Sequence, residues 1–173
     1  MKKIALFVDV QNIYYTTRQA YGRQFNYRKF WERIGYEGEI TRATAYATAR
    51  NDDRPIKFQH ALKHIGFEVK LKPYIQRSDG SAKGDWDIGI VLDMVEYGPE
   101  VDVIVLASGD GVFQIAVERI RKKPGVFIEI WGVTRLSADA LMRLADRFVS
   151  ISNKYLMRPV EPTSELQSHS YPV

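Results

Sequence analysis

Apolar positions along the chain fall into two alternating rhythms, unbroken short runs and stripes at helical spacing. Val101 to Ala107, VDVIVLA, is apolar and rich in β-branched residues. Such a run reads as a strand buried on both faces of a parallel sheet. It empties into Ser108-Gly109-Asp110-Gly111, after which Phe113, Ala116, Val117 and Ile120 share one helical face, with Gln114, Glu118 and Arg121 opposite. Lys2 to Val8 does the same at the start of the chain. That run ends at Asp9, and Ile13, Thr16, Thr17 and Ala20 follow at helical spacing. Tyr21-Gly22-Arg23 breaks this helix, and Asn26 caps a second one, through Ile34, that turns Phe30 and Trp31 inward.

Four further runs predict strands at Ile40–Ala49, Phe67–Ile75, Val126–Trp131 and, briefly, Phe148–Ile151. Pro55 suits the first turn of a helix with Phe58, Leu62 and Ile65 inside, closed by Gly66. Gln76 to Ala82 reads as a polar, mobile loop. Residues 83–87 lead into a helix that Gly98-Pro99 ends after Tyr97. After a loop from Gly132 to Arg135, Ser137 is expected to cap a last helix bearing Leu141, Leu144 and Ala145. Strands alternating with helices predict a doubly wound α/β/α sandwich around a parallel sheet. From Arg158 onward three prolines, serines and no periodicity predict a loose tail, so the folded domain is expected over residues 1–157.

Composition narrows the chemistry. With 173 residues and an ordinary apolar fraction, one domain with a real core is expected. There is no cysteine, which excludes disulfides, thiolate nucleophiles and Cys-ligated zinc, and three histidines leave little for a His-rich site. Met1-Lys2-Lys3 leads into a short run interrupted by Asp9, which is no signal peptide, and no run is long enough to span a bilayer. A cytoplasmic protein without membrane contact is the expectation. The net charge of +4 permits a polyanionic partner.

Asp9, Asp87 and Asp110 all fall at junctions on what should be one edge of the sheet, where open α/β sheets hold their ligands. Each also reads as a helix cap. Capping, however, needs one short acid or hydroxyl per helix, not acids gathered at neighbouring strand ends. Gathered carboxylates repel one another unless a cation lies between them, and oxygen-only ligands suit Mg2+ or Mn2+. Such an ion polarises a phosphodiester and acidifies a water for attack on phosphorus. Asn12, one turn beyond Asp9, is placed to orient water or phosphate, or to bond nearby backbone; Ser108 donates to substrate or ties down its turn. Asp85 and Asp87 flank Trp86, so one of the two faces the site, and Asp93, six residues past Asp87, turns away from that face unless its helix crosses the site. Arg50, Arg77, Lys83 and Arg135 recur near the same edge as candidate phosphate contacts. Tyr14, beside Tyr15, is a candidate stacking surface for a single-stranded base, with core packing as its other reading.

These residues resemble the NYN family of PIN-like nuclease domains, in its bacterial LabA-like (DUF88) branch. The likeness rests on FVDVQNIYY at 7–15, KGDWDIGIVLDM at 83–94, ASGDGVFQIAV at 107–117 and, more weakly, LSADALMRLADRF at 136–148. It implies a Rossmann-like sandwich with strand order 3-2-1-4-5 over residues 1–157, and metal-dependent cleavage of RNA. By position, Asp9, Asp87 and Asp110 match the family's metal-site acids, Asn12 its motif Asn, and Asp93 a frequent further acid. One residue departs: the pattern often reads SGDxDF, and Val112 stands at the second acid. Losing that carboxylate weakens a metal site. It favours the alternative of an RNA-binding or regulatory module without turnover. A Rossmann nucleotide enzyme is disfavoured, because neither GxGxxG nor GxxxxGK(S/T) follows the first strand, and Asp9 lacks the DxT of a phosphoaspartate phosphatase. A homodimer is a further possibility for which the sequence offers no residue.

Overall fold

The two apolar runs at Lys2–Val8 and Val101–Ala107 lie side by side in the middle of the sheet. The computed structural model describes residues 1–49, 53–73, 75–76, 82–83 and 86–159. For residues 49, 53–55, 73, 75–76 and 82–83 it describes the backbone only. The elements follow as β1 (Lys3–Asp9), α1 (Val10–Tyr21), α2 (Tyr27–Gly35), β2 (Glu39–Ala49), α3 (Asp53–Ile65), β3 (Glu68–Pro73), β4 (Ile75–Gln76), β5 (Ala82–Lys83), α4 (Asp87–Tyr97), β6 (Val103–Ala107), α5 (Gln114–Arg121), β7 (Phe127–Gly132), α6 (Asp139–Leu144) and β8 (Arg147–Ser150). Six strands form one sheet in the order β3-β2-β1-β6-β7-β8, with every neighbouring pair parallel. Apart from the separate β4-β5 ribbon, this is the 3-2-1-4-5 order with a sixth strand at the edge.

The sheet is buried on both sides, and the sequence says why. Ile4, Leu6 and Val8 point to one face, where they meet Ile13 of α1, Phe30 and Ile34 of α2 and Leu62 of α3. Ala5 and Phe7 point to the other, against Ile90 and Met94 of α4, Ala116, Val117 and Ile120 of α5 and Leu141 of α6. Alternate residues of one apolar strand therefore fill two cores, so no polar position is tolerated between Ile4 and Val8. The result is a three-layer α/β/α sandwich. No helix among the described residues is long and apolar enough to cross a membrane.

Three expectations change. The expected loop from Gln76 to Ala82 is rimmed by a two-residue ribbon, Gln76 pairing with Ala82 and Ile75 with Lys83. Ser137 does not cap α6: the N-cap residue is Ala138, and the Ser137 hydroxyl donates instead to the Val133 carbonyl at 2.8 Å. The last helix is accordingly a short one of six residues. The helix expected from Phe113 starts with a single 3-10 turn over Gly111–Phe113 before α5 begins.

One charge lies inside this core. The Glu129 side chain of β7 is 2% exposed and is held by the Arg147 guanidinium of β8 at 2.6 Å. Its second oxygen accepts from the Trp131 indole N–H at 2.7 Å. Arg147 continues outward to Glu37, which also takes Arg33 at 2.8 Å. Every buried polar side-chain atom among the described residues has a partner.

Candidate active site

Strand order reverses at β1, because the chain goes from β1 to β2 and β3 on one side and returns to β6 on the other. That switch point is the crevice where such sheets take ligands. Two carboxylates stand at its rim, Asp9 at the last position of β1 and Asp110 three residues past β6. Local backbone chemistry fixes both. Asp9 caps α1 by accepting from the Asn12 amide at 3.3 Å, and Asp110 caps the 3-10 turn by accepting from the Val112 amide at 3.0 Å. The capping reading is therefore realised, and it coexists with the gathering of acids.

Hydrogen bonds stitch the two strand ends together. The Ser108 hydroxyl donates to Asp9 Oδ2 at 3.1 Å and accepts from the Asp110 amide at 3.2 Å. Asn12 Oδ1 accepts from the Gly109 amide at 3.0 Å, which leaves the NH2 of its side chain as a donor. Gly109 itself has no room for a side chain. A Cβ there would come within 2.8 Å of Ser137 Cβ and 2.9 Å of its Cα, so backbone must move. Gly109→Ala is expected to destabilise by about 1–3 kcal/mol through this overpacking. Ser137→Gly should fail to rescue it, because the Cα clash remains; urea denaturation of the single and double variants checks both.

Asp9 is 6% exposed, and its carboxyl is pushed up to about 7. Burial is the main cause, opposed by the Asn12 amide and the Ser108 hydroxyl, while the charges of Asp87 and Asp110 push further upward. Asp87 is thus an electrostatic neighbour from the first turn of α4. Its position is set by Trp86, the residue before it. The Trp86 indole N–H donates to the Ala47 carbonyl of β2 at 2.8 Å, its ring packs on Tyr46 with centroids 5.5 Å apart, and Lys72 lies over it at 4.8 Å. Gly89 leaves the space for this ring, since a Cβ there would meet it at 2.7 Å.

Asp93 points elsewhere along α4. Its Oδ2 accepts from the Tyr46 hydroxyl at 2.7 Å and pairs with Lys70 at 2.8 Å. Burial and the Asp93 charge raise the Tyr46 hydroxyl far above its ordinary range, so it remains a donor. Tyr46 and Lys70 were not expected at the site. The signal available was strand parity, because Tyr46 stands in register with Asp9 on the neighbouring strand.

Of the candidate nucleic-acid residues, the structure describes the side chains of Tyr14 and Arg135. Tyr14 is half-buried, its hydroxyl accepting from Arg18 at 2.7 Å and its ring edge-on to Tyr15. Arg135 is exposed and donates to the Ala20 carbonyl at 3.2 Å. Arg50 and Arg77 lie outside the described residues, and so does the side chain of Lys83, whose backbone belongs to β5.

Carboxylates and a hydroxyl form an all-oxygen donor set with no sulfur, the chemistry of a hard divalent cation. Among the described residues, no three His, Cys, Asp or Glu side chains are close enough together to hold an ion as a closed cage. The residues fit instead a hydrated cation taken by one or two carboxylates directly, the usual habit of Mg2+.

A family model described as the NYN domain matches residues 3–153. The chain is 30% identical over 159 residues to the low amplitude and bright protein LabA of Synechococcus elongatus, covering 87% of this chain and 84% of that one. Its fold is similar to the crystal structure of a protein of unknown function, VPA0982, from Vibrio parahaemolyticus. The TM-score is 0.85 and the identity 51%, over 90% of this chain and 96% of the other.

Proposed function

The chain belongs to the NYN domain family, a branch of the PIN-like nucleases, and on that premise we propose that it is a divalent-metal-dependent ribonuclease acting at the β1–β6 switch point. The observation that carries this reading is the linked chain Asp9–Ser108–Asp110 with Asn12 beside it, set at the edge where such sheets bind ligands. Asp9, Asp87 and Asp110 would surround the hydrated ion, Mg2+ or Mn2+, one or two of them binding it directly and the rest through its water. When bound, that ion supplies positive charge to the phosphoryl group and acidifies a water.

The chain's own residues then have separate tasks. The Asn12 amide N–H and the Ser108 hydroxyl fix Asp9 in one orientation. The free NH2 of Asn12 donates to a phosphate oxygen or to the attacking water, and Ser108 is the second orienting group. Asp93 completes the acidic wall by anchoring Tyr46 and Lys70 rather than by joining the ligands. Tyr14, Arg50, Arg77, Lys83 and Arg135 are the proposed contacts to the RNA, the cations through its phosphates and Tyr14 through a base.

A labelled, unstructured RNA incubated with Mg2+, with Mn2+ and with EDTA tests the reading. Cleavage with either metal and none with EDTA is expected. Val112, which is 43% exposed where the family pattern often has an acid, favours the second reading, an RNA-binding module without turnover. RNA bound but left intact with both metals would establish that module and end the nuclease proposal.

A further inference from the structure

Four aliphatic side chains stand in solvent beside the carboxylate site. Ile88 and Leu92, one turn apart on α4, are 75% and 61% exposed, while Val112, in the 3-10 turn before α5, and Ile115, in the first turn of α5, are 43% and 64% exposed. The two helices pack side by side on one face of the sheet. Both return antiparallel to the strands they connect, so they run parallel to each other. Together the four side chains put on the order of 400 Å2 of aliphatic surface in water, the size of the largest patch on a typical monomer, which is often functional.

Charge selects the occupant. Within α4 the acids Asp87, Asp93 and Glu96 occur with no lysine or arginine. Asp93 is paired with Lys70, and α5 carries Arg119 and Arg121, so the face presents both signs of charge, which suits a protein partner better than a polyanion. What covers this face must offer aliphatic side chains and a cation opposite Glu96. The chain supplies both itself. Glu96 lies one turn beyond Leu92 on α4, and Arg119 one turn beyond Ile115 on α5, both exposed and both toward the same helix ends.

We propose that this face is covered by a second copy of the chain, across a two-fold axis running between α4 and α5 along their length. In that arrangement α4 of one protomer lies over α5 of its partner. Ile88 and Leu92 then pack on the partner's Val112 and the partner's Ile115, and Glu96 meets the partner's Arg119, each contact occurring twice. The aliphatic centre alone is about half of the ~800 Å2 per subunit of a standard stable interface. An axis along the helices also sets both carboxylate sites at the same end of the dimer. Val112 gains a reason: an acid there would be buried against aliphatic groups. None of this depends on the site being catalytic.

Sedimentation velocity on the full chain across micromolar concentrations tests the proposal. A dimer is expected, and Leu92→Glu should give a monomer with unchanged circular dichroism and melting, because Leu92 is exposed. Glu96→Arg and Arg119→Glu should each weaken the dimer about tenfold, and the double variant should restore it. Wild-type protein that stays monomeric at every concentration overturns the proposal. So does a dimer indifferent to Leu92→Glu, or charge reversals that fail to rescue one another. If Leu92→Glu leaves a monomer's mass unchanged but abolishes RNA binding, the face belongs to nucleic acid and the proposal is wrong.

Discussion

Asp9→Asn and Asp110→Asn should each lower RNA cleavage about a thousandfold while moving stability in different directions. The activity loss follows from removing a carboxylate that would hold the cation, and the cation's stabilisation of charge at the phosphoryl group is worth several kcal/mol of barrier. Stability separates the two. Asn caps a helix as well as Asp does, and Asp110 needs only to accept from the Val112 amide, so Asp110→Asn should unfold where the wild type does. Asp9 is different because its folded carboxyl lies near 7, above the ordinary 3.8. Between those values the folded protein holds a proton that the unfolded chain has released. Stability therefore falls as pH rises from about 4 to about 7, and levels off above. The shift corresponds to on the order of 4 kcal/mol at most. Asp9→Asn removes that penalty, so with EDTA present it should be more stable than wild type at pH 8 and similar to it near pH 4. Urea denaturation at the two pH values checks this, and an Asp9→Asn protein less stable at both would show that the ionised carboxylate is a structural necessity.

Arg147→Ala carries the largest expected loss of stability, about 3–5 kcal/mol. Glu129 is 2% exposed, and the Arg147 guanidinium supplies the opposite charge against its carboxylate. Truncating Arg147 strands that charge with the Trp131 indole as its remaining partner. Melting should drop by roughly 10 °C for a chain of this size. Arg33→Ala, which removes a more exposed ion pair with Glu37, should cost less than about 1 kcal/mol. Equal effects of the two substitutions would mean that buried Glu129 does not depend on Arg147.

That ion pair also marks where sequence reading stops. FIEIWG reads as a strand whatever Glu129 does, because its neighbours alternate correctly. The guanidinium that makes Glu129 tolerable comes from the next strand, and no local pattern announces it. Strands β1 and β6 were legible because both faces of each are buried, so their apolar runs are continuous. The β4-β5 ribbon was not, since two residues have no period. Ser137 failed as a cap because the close approach of Gly109 and Gly132 turns its hydroxyl back on Val133. Within the site, Asp9, Asn12 and Asp110 could be placed from the ends of legible strands. Asp93 could not, because Tyr46 and Lys70 reach it from β2 and β3, strands whose register with α4 only the fold sets.

Trp86 has a use that its packing does not advertise. Of three tryptophans, Trp131, 1% exposed, and Trp31, which packs with Phe67, both lie on the face of the sheet opposite Trp86. Trp86 alone adjoins Asp87, with a lysine over its ring and a tyrosine beneath. Indole emission depends on the charges and dipoles around the ring. If the proposed site takes a cation or a phosphate chain at Asp87, its arrival should change the fluorescence of this one residue, an optical reporter of binding that needs no label and is independent of any cleavage.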